Sequence, residues 1–332
     1  MTVRVERAPT EHRAVLGVIV PLSERVLARL GPPRALWMVL WGCLALVTYE
    51  VMYHVYKMPY PGSAYSLTAA YANLLALWGV PLLVGRANRL QPRIEELVGA
   101  TAADPKTHPF RQLASTAGPL LLLPLAASRW DVYLFQRPSA LTIAATALLI
   151  VGWLPSSCGV WTIFTVFLGL DRLGRQSLHL RPFHQDRSLG LAPLGQLAVS
   201  TFTLFVAGLV PVALATARDK QSMVSVVGHL VIGVAAFFLS LYRLHEQLAA
   251  ARQGYLAHVR RLTAEAFAPV ETEWTLDSLA EQAARINATK TLEQHVGAIQ
   301  RWPVGETAMA RIAAIATSVI TATVVRIVIS KL

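Results

Sequence analysis

Six apolar runs, each long enough to cross a lipid bilayer, constrain this chain more than any other feature. They lie at about 35–56, 64–84, 113–134, 140–170, 190–217 and 223–243. A helix needs about 20 consecutive apolar residues to span the hydrocarbon core, where every backbone polar group must be satisfied without water. The pattern predicts an all-α, polytopic integral membrane protein and argues against a soluble domain. A seventh apolar stretch, 308–330, closes the chain. Its Ile312, Ile315, Val319, Ile320, Val324 and Val325 do not gather on one face. That distribution predicts burial on all sides, either as a seventh span or against partner helices. Six or seven transmembrane helices are therefore expected.

Charge is scarce and unevenly placed. Only 15% of the 332 residues are charged, against about 25% in soluble proteins. Lys and Arg outnumber Asp and Glu by 30 to 19. In a soluble protein such an excess would suggest nucleic acid. Here the basic residues gather in segments 1–34, 85–112, 171–189 and 244–306. The turns 57–63, 128–139 and 218–222 hold only Lys57, Arg129, Arg137, Arg218 and Lys220. Basic loops stay inside, so the N-terminus is expected in the cytoplasm, with the spans in a bacterial inner membrane. Nucleic acid is not expected as a partner. Trp130, Tyr133 and Phe135 fit an outer aromatic belt and support the third span despite Arg129 and Asp131 at its end.

Four regions follow. Residues 1–34 form a cytoplasmic N-terminal segment. Its Ala14–Leu22 follows Arg4, Arg7 and Arg13 in the manner of a signal peptide, but Ser23, Glu24 and Arg25 come next with no cleavage site. A surface-lying amphipathic helix carrying Leu22, Val26, Leu27 and Leu30 fits better. Residues 35–243 form the six-helix transmembrane domain. Residues 244–306 are a cytoplasmic helical region, in which Leu244, Leu248, Ala251, Tyr255, Val259, Leu262 and Ala266 recur at spacings of three and four. They extend the sixth span as an amphipathic helix that Pro269 is expected to end. Trp274, Thr275 and Leu279 have the spacing of a hydrophobic staple and start a second, short helix. Trp302-Pro303 breaks the chain before the C-terminal apolar helix, 307–332.

Inside the membrane, Glu50 and His54 stand four apart on one face of the first span. His229 and Asp131 fall at similar depth on the sixth and third. Ionisable groups there are expensive and usually pair or line a cavity. They suggest a polar vestibule for an ion or a proton, with a structural Glu–His pair as the alternative. The run Trp153-Leu154-Pro155-Ser156-Ser157-Cys158-Gly159 should break the fourth span, because Pro155 removes an amide donor. Carbonyls freed there can hold an ion, as in transporters, or can be satisfied by the Ser156 and Ser157 hydroxyls. Thr317, Ser318, Thr321 and Thr323 among small residues suit close helix packing in an oligomer.

The connector after the fourth span, RPFHQDRSLGLAPLG at 181–195, is the richest polar stretch. His179, His184 and Asp186 are possible metal ligands, but a zinc or iron site needs three or four such groups on rigid elements. Gly190 and Gly195 lack the Gly-Lys-Ser/Thr that ends a phosphate loop. No nucleophile motif or nucleotide fingerprint appears, so no catalytic residue, metal or cofactor is assigned. Arg172, Arg175, Arg181 and Arg187 suit contact with anionic lipid headgroups. His184 to Gly195, as His-x-Asp-x-x-x-Gly-Leu-x-Pro-Leu-Gly, resembles a loop of bacterial multi-pass membrane proteins with no assigned activity. Their pattern has His-Pro-Asp and Gly-Gly-Leu, whereas this chain has Gln185 and Leu189 at the departing positions. The resemblance implies a membrane fold and no reaction.

These features favour an oligomeric channel or transporter. The alternative is a non-catalytic membrane sensor or scaffold whose region 244–306 binds a cytoplasmic protein. An enzyme acting on lipid headgroups at the basic loop is a third reading.

Overall fold

A computed structural model describes residues 22, 25–26, 29, 34–56, 62–99, 108–127, 140–215, 220–272 and 276–329. All its regular elements are helical, and no strand occurs among the described residues. The helices are α1 (Arg34–Tyr56), α2 (Gly62–Arg89), α3 (Gln91–Val98), α4 (Ala117–Ala127), α5 (Ala140–Gly152), α6 (Leu154–Gly174), α7 (Ala192–Ala215), α8 (Lys220–Thr272), α9 (Leu276–Gly297) and α10 (Glu306–Ile329), with a 3-10 turn at Arg111–Ala114. Four contain stretches long and apolar enough to cross a membrane: Leu67–Arg89, Leu154–Gly174, Ala192–Pro211 and Val226–Ala268.

The runs at 113–134 and 140–170 do not appear as single long helices among the described residues. The first shows α4, of 11 residues. The second is divided at Trp153 into α5 and α6. The division follows from Pro155, which has no amide to give the carbonyl of Val151.

α2 packs against α1, α6 and α7, while α8 packs against α6, α7, α9 and α10. Side chains fix the directions. Arg86 near the end of α2 donates to Ser200 in the first half of α7, and Thr68 Oγ1 near its start donates to the Pro211 carbonyl at 3.4 Å. These two helices are antiparallel. Phe237 of α8 meets Phe167 of α6 at 6.5 Å and Phe202 of α7 at 5.3 Å between ring centres. Consequently the ends of α2 and α6, the start of α7 and the middle of α8 meet at one end of the bundle. Arg86, Arg89, Arg93, Arg172, Arg175, Arg181, Arg187 and Arg243 collect there.

One apolar core runs through both parts of the molecule. Leu83, Val166, Leu170, Phe202, Phe237 and Leu241 continue into Ile94, Leu97, Leu189, Leu244, Leu248, Val296, Ile299 and Val304. Leu244, Leu248 and Val259 are buried on the expected stripe of α8. Pro269 does not end that helix, which continues to Thr272. A proline in the last turn removes one bond of the ladder without unseating the turns before it. Helix α9 is longer than expected, with 22 residues returning along α8. Trp274 and Thr275 of the anticipated staple lie outside the described residues.

The terminal helix departs from expectation within one chain. Ile312 is buried, whereas Ala310, Ala313, Ala314, Thr317, Ser318 and Thr321 are exposed. Its main packing partner among the described helices is α8.

Candidate functional site

The basic end is organised around the connector between α6 and α7. Asp186 holds it. One carboxylate oxygen, Oδ1, accepts the Ser188 amide at 2.8 Å and the Ser188 hydroxyl at 2.7 Å, and Oδ2 accepts the Gly190 amide at 3.0 Å. Partial burial pushes its pKa up, but the bonds from Ser188 and Gly190, aided by the nearby Arg93 charge, hold it below the usual range. The Ser188 hydroxyl also accepts the Ala192 amide at 3.2 Å, satisfying a donor at the start of α7 that would otherwise lack a partner.

The tight turn puts Leu189 and Gly190 at φ 51° and 92°. Glycine accepts this left-handed backbone freely, while a leucine pays about 1–2 kcal/mol. Leu189 is fully buried in the core, and that burial offsets the strain. A side chain at 190 would collide with Arg93, whose Nη2 lies 1.9 Å from the position of a Cβ there.

Three charged groups lock the connector to α3. Arg181 donates to both oxygens of Glu96, Nε at 2.7 Å and Nη2 at 2.8 Å, and Arg93 Nη1 donates to Oε2 at 2.5 Å. Arg93 Nε also donates to the Gly190 carbonyl at 3.2 Å. These hydrogen bonds, first from Arg181 and then from Arg93, pull the Glu96 pKa down to about 2. The His179 amide donates to the Leu97 carbonyl at 2.7 Å. On the other side, the Gln300 amide donates to the Arg187 carbonyl at 3.1 Å, which seats segment 298–305 across the connector. His245 of α8 stacks on Trp302 at 4.2 Å and approaches the Arg301 carbonyl through Nδ1 at 2.5 Å.

A buried histidine marks the far edge of this region. The Phe110 amide donates to His108 Nδ1 at 3.1 Å, so Nε2 carries the proton toward Gln91 Oε1 at 2.5 Å. Gln91 then donates to Glu95 at 2.9 Å. Burial holds the His108 pKa below its ordinary value, opposed by the Glu95 charge.

The second polar site lies at the helix break. Asn73 of α2, 2% exposed, donates to the Gly152 carbonyl at 2.7 Å and accepts the Ser156 hydroxyl at 2.7 Å. The indole of Trp41 donates to the Val151 carbonyl at 3.2 Å, replacing the amide that Pro155 lacks. Ser157 Oγ donates to the Leu154 carbonyl at 2.9 Å. Protein groups therefore cover the carbonyls freed by the break.

The sequence-derived candidates fall into distinct places. Ser156 and Ser157 are buried at the break. Glu50 is part-buried on α1, which packs on α2 and α5, and His229 is exposed on α8. His54 lies on α1 with its side chain outside the described residues, and Asp131 lies outside them altogether. His184 is exposed beside the Phe183 ring, and His179 turns to the Leu97 carbonyl while Asp186 serves the turn. Among the described residues no three His, Cys, Asp or Glu groups gather as metal ligands. Arg181 is occupied by Glu96 and Arg175 pairs with Asp171 at 2.8 Å, whereas Arg187 is exposed and Arg172 half-buried. Sequence reasoning missed Asn73, Arg93 and Glu96. A lone Asn inside an apolar run, and an Arg–Glu pair three apart beyond a span, are the signals that identify them. No family model, curated protein or solved structure matches this chain.

Proposed function

We propose that the protein is a non-catalytic scaffold or sensor of six or seven spans, held in a bacterial inner membrane with its basic end and N-terminus in the cytoplasm. It works through the hairpin of α8 and α9. The observation that carries this reading is the continuity of α8. Its 53 residues run from the apolar stretch into the hairpin, and one core joins both ends. A displacement of the membrane part is thus delivered to the hairpin rather than absorbed by a linker. The covered carbonyls at the break support the same reading, since Asn73 and Trp41 occupy groups that a transporter would offer an ion.

The test is a cytoplasmic partner captured by the full-length protein. Capture should be lost when exposed hairpin residues Arg260, Arg261 and Lys290 are replaced by Gln, with thermal unfolding unchanged. Capture indifferent to those replacements would overturn the reading. A second reading, an oligomeric channel or transporter, is favoured by the exposed Thr317, Ser318 and Thr321 on α10. It expects ion flux in liposomes that responds to Glu50→Gln and to apolar replacement of those hydroxyls. Protein that sustains no flux counts against it.

A further inference from the structure

We propose that the groove where α6 ends against α8 binds the phosphate of an anionic phospholipid from the basic-side leaflet. Gly174, the last residue of α6, brings the two backbones into contact. A Cβ there would lie 2.6 Å from Arg243 Cβ and 3.0 Å from the Leu244 nitrogen. Just beyond this crossing the chains part around a basin of about 480 Å³, lined by Gly174, Arg175, Arg243, Glu246, Gln247 and Ala250.

The basin presents donors. The Arg175 and Arg243 side chains are 65% and 51% exposed. Gln247 Nε2 donates to the Gly174 and Gln176 carbonyls at 2.6 and 2.7 Å, covering two acceptors that would repel a phosphate. Two carboxylates compete: Asp171 pairs with Arg175 at 2.8 Å and Glu246 with Arg243 at 3.0 Å. A guanidinium has five N–H donors, so each arginine keeps donors for an oxyanion.

What selects a lipid over a free anion or an acidic peptide is the surface leading to the basin. Val231, Ile232, Leu239 and Tyr242 of α8 are exposed by 51, 67, 67 and 48%. At about 100° per residue they share an arc of roughly 100° on one side of the helix, with Arg243 at its edge. Acyl chains lie along this stripe while the phosphate sits between the arginines, with Tyr242 at the boundary between apolar and wet surroundings. Arg93 is only 13% exposed and Arg181 gives two nitrogens to Glu96. Arg175 and Arg243, by contrast, each give one nitrogen to a carboxylate and face a common basin, so the headgroup contact falls at the α6–α8 crossing. The inference rests on α6 and α8 as spans and does not depend on a hairpin partner.

Native mass spectrometry of the full-length protein in detergent, titrated with phosphatidylglycerol or phosphatidylcholine, reads the first bound lipid directly. The wild-type protein should prefer phosphatidylglycerol. Arg175→Gln and Arg243→Gln should each reduce that preference by roughly two- to five-fold, and Glu246→Gln should raise it by freeing Arg243. Arg260→Gln, on the hairpin, should leave it unchanged. Unchanged preference in the double Gln variant, at wild-type thermal stability, overturns the proposal. So does displacement of phosphatidylglycerol by millimolar inorganic phosphate, which would make the site one for a free anion. Should the double variant fail to fold, Glu246→Gln decides, because an unchanged or lowered preference there overturns the proposal equally. A hairpin that captures no partner would leave the lipid preference intact.

Discussion

At residue scale the basic end depends on acceptors more than on any reactive group. Glu96 and Asp186 are both held below their ordinary pKa, so their contributions are present above the unfolded value and fade as pH falls through the folded one. For Glu96 this window runs from about 4.5 down to about 2. His108 acts in the same direction: its folded pKa lies below 6.5, so acid favours the unfolded chain, which binds the proton more readily. Thermal stability in detergent should therefore fall on acidification below about pH 6.5, and again below about pH 4.5. Glu96→Gln should flatten the lower limb. At the helix break, Asn73→Leu would leave the Gly152 carbonyl and the Ser156 hydroxyl without their partner, costing about 1–3 kcal/mol. Ser156→Ala leaves a single acceptor, Asn73 Oδ1, unpaired instead of two groups and should cost less, about 1 kcal/mol. Equal losses in the two variants, measured by thermal unfolding, would show that Asn73 is not the centre of that site.

At element scale the apolar runs were legible because hydropathy over about 20 residues is a local property. The stripe of Leu244, Leu248 and Val259 and the break at Pro155 were legible for the same reason, as each depends on neighbours within one or two turns. The partners were not. Asn73 finds Gly152 and Glu96 finds Arg181 only once the helices have packed, and no spacing along the chain announces either pair. Nor does the spacing of His184 and Asp186 announce that the backbone amides at 188 and 190 claim the Asp186 carboxylate. Close packing between elements gives a further expectation. A Cβ on Gly195 would lie 2.1 Å from the Pro303 carbonyl, a backbone atom that cannot swing aside. Gly195→Ala should lift segment 298–305 from α7 at a cost of about 1–3 kcal/mol. Limited proteolysis near Trp302 should then be faster than in the wild-type protein.

At the scale of the whole molecule, one core joins the bundle to the hairpin, and among the described helices α10 packs mainly against α8. The exposed small and hydroxyl residues of α10 suit close packing against a second copy. Light scattering of the purified protein in detergent should give more than one protomer if the channel reading holds, and a single protomer would remove its basis. The seating of Gln300 on Arg187 and of Pro303 on Gly195 also bears on how the protein is made. Both contacts join the connector to positions more than a hundred residues further along. During synthesis, α6 and α7 must enter the membrane while their connector still lacks that cover. Its Leu189 then stays uncovered until segment 298–305 has emerged. A nascent chain halted before Gln300 should accordingly be inserted but remain open to protease at 181–195, and closure should follow only once segment 298–305 is free to fold back.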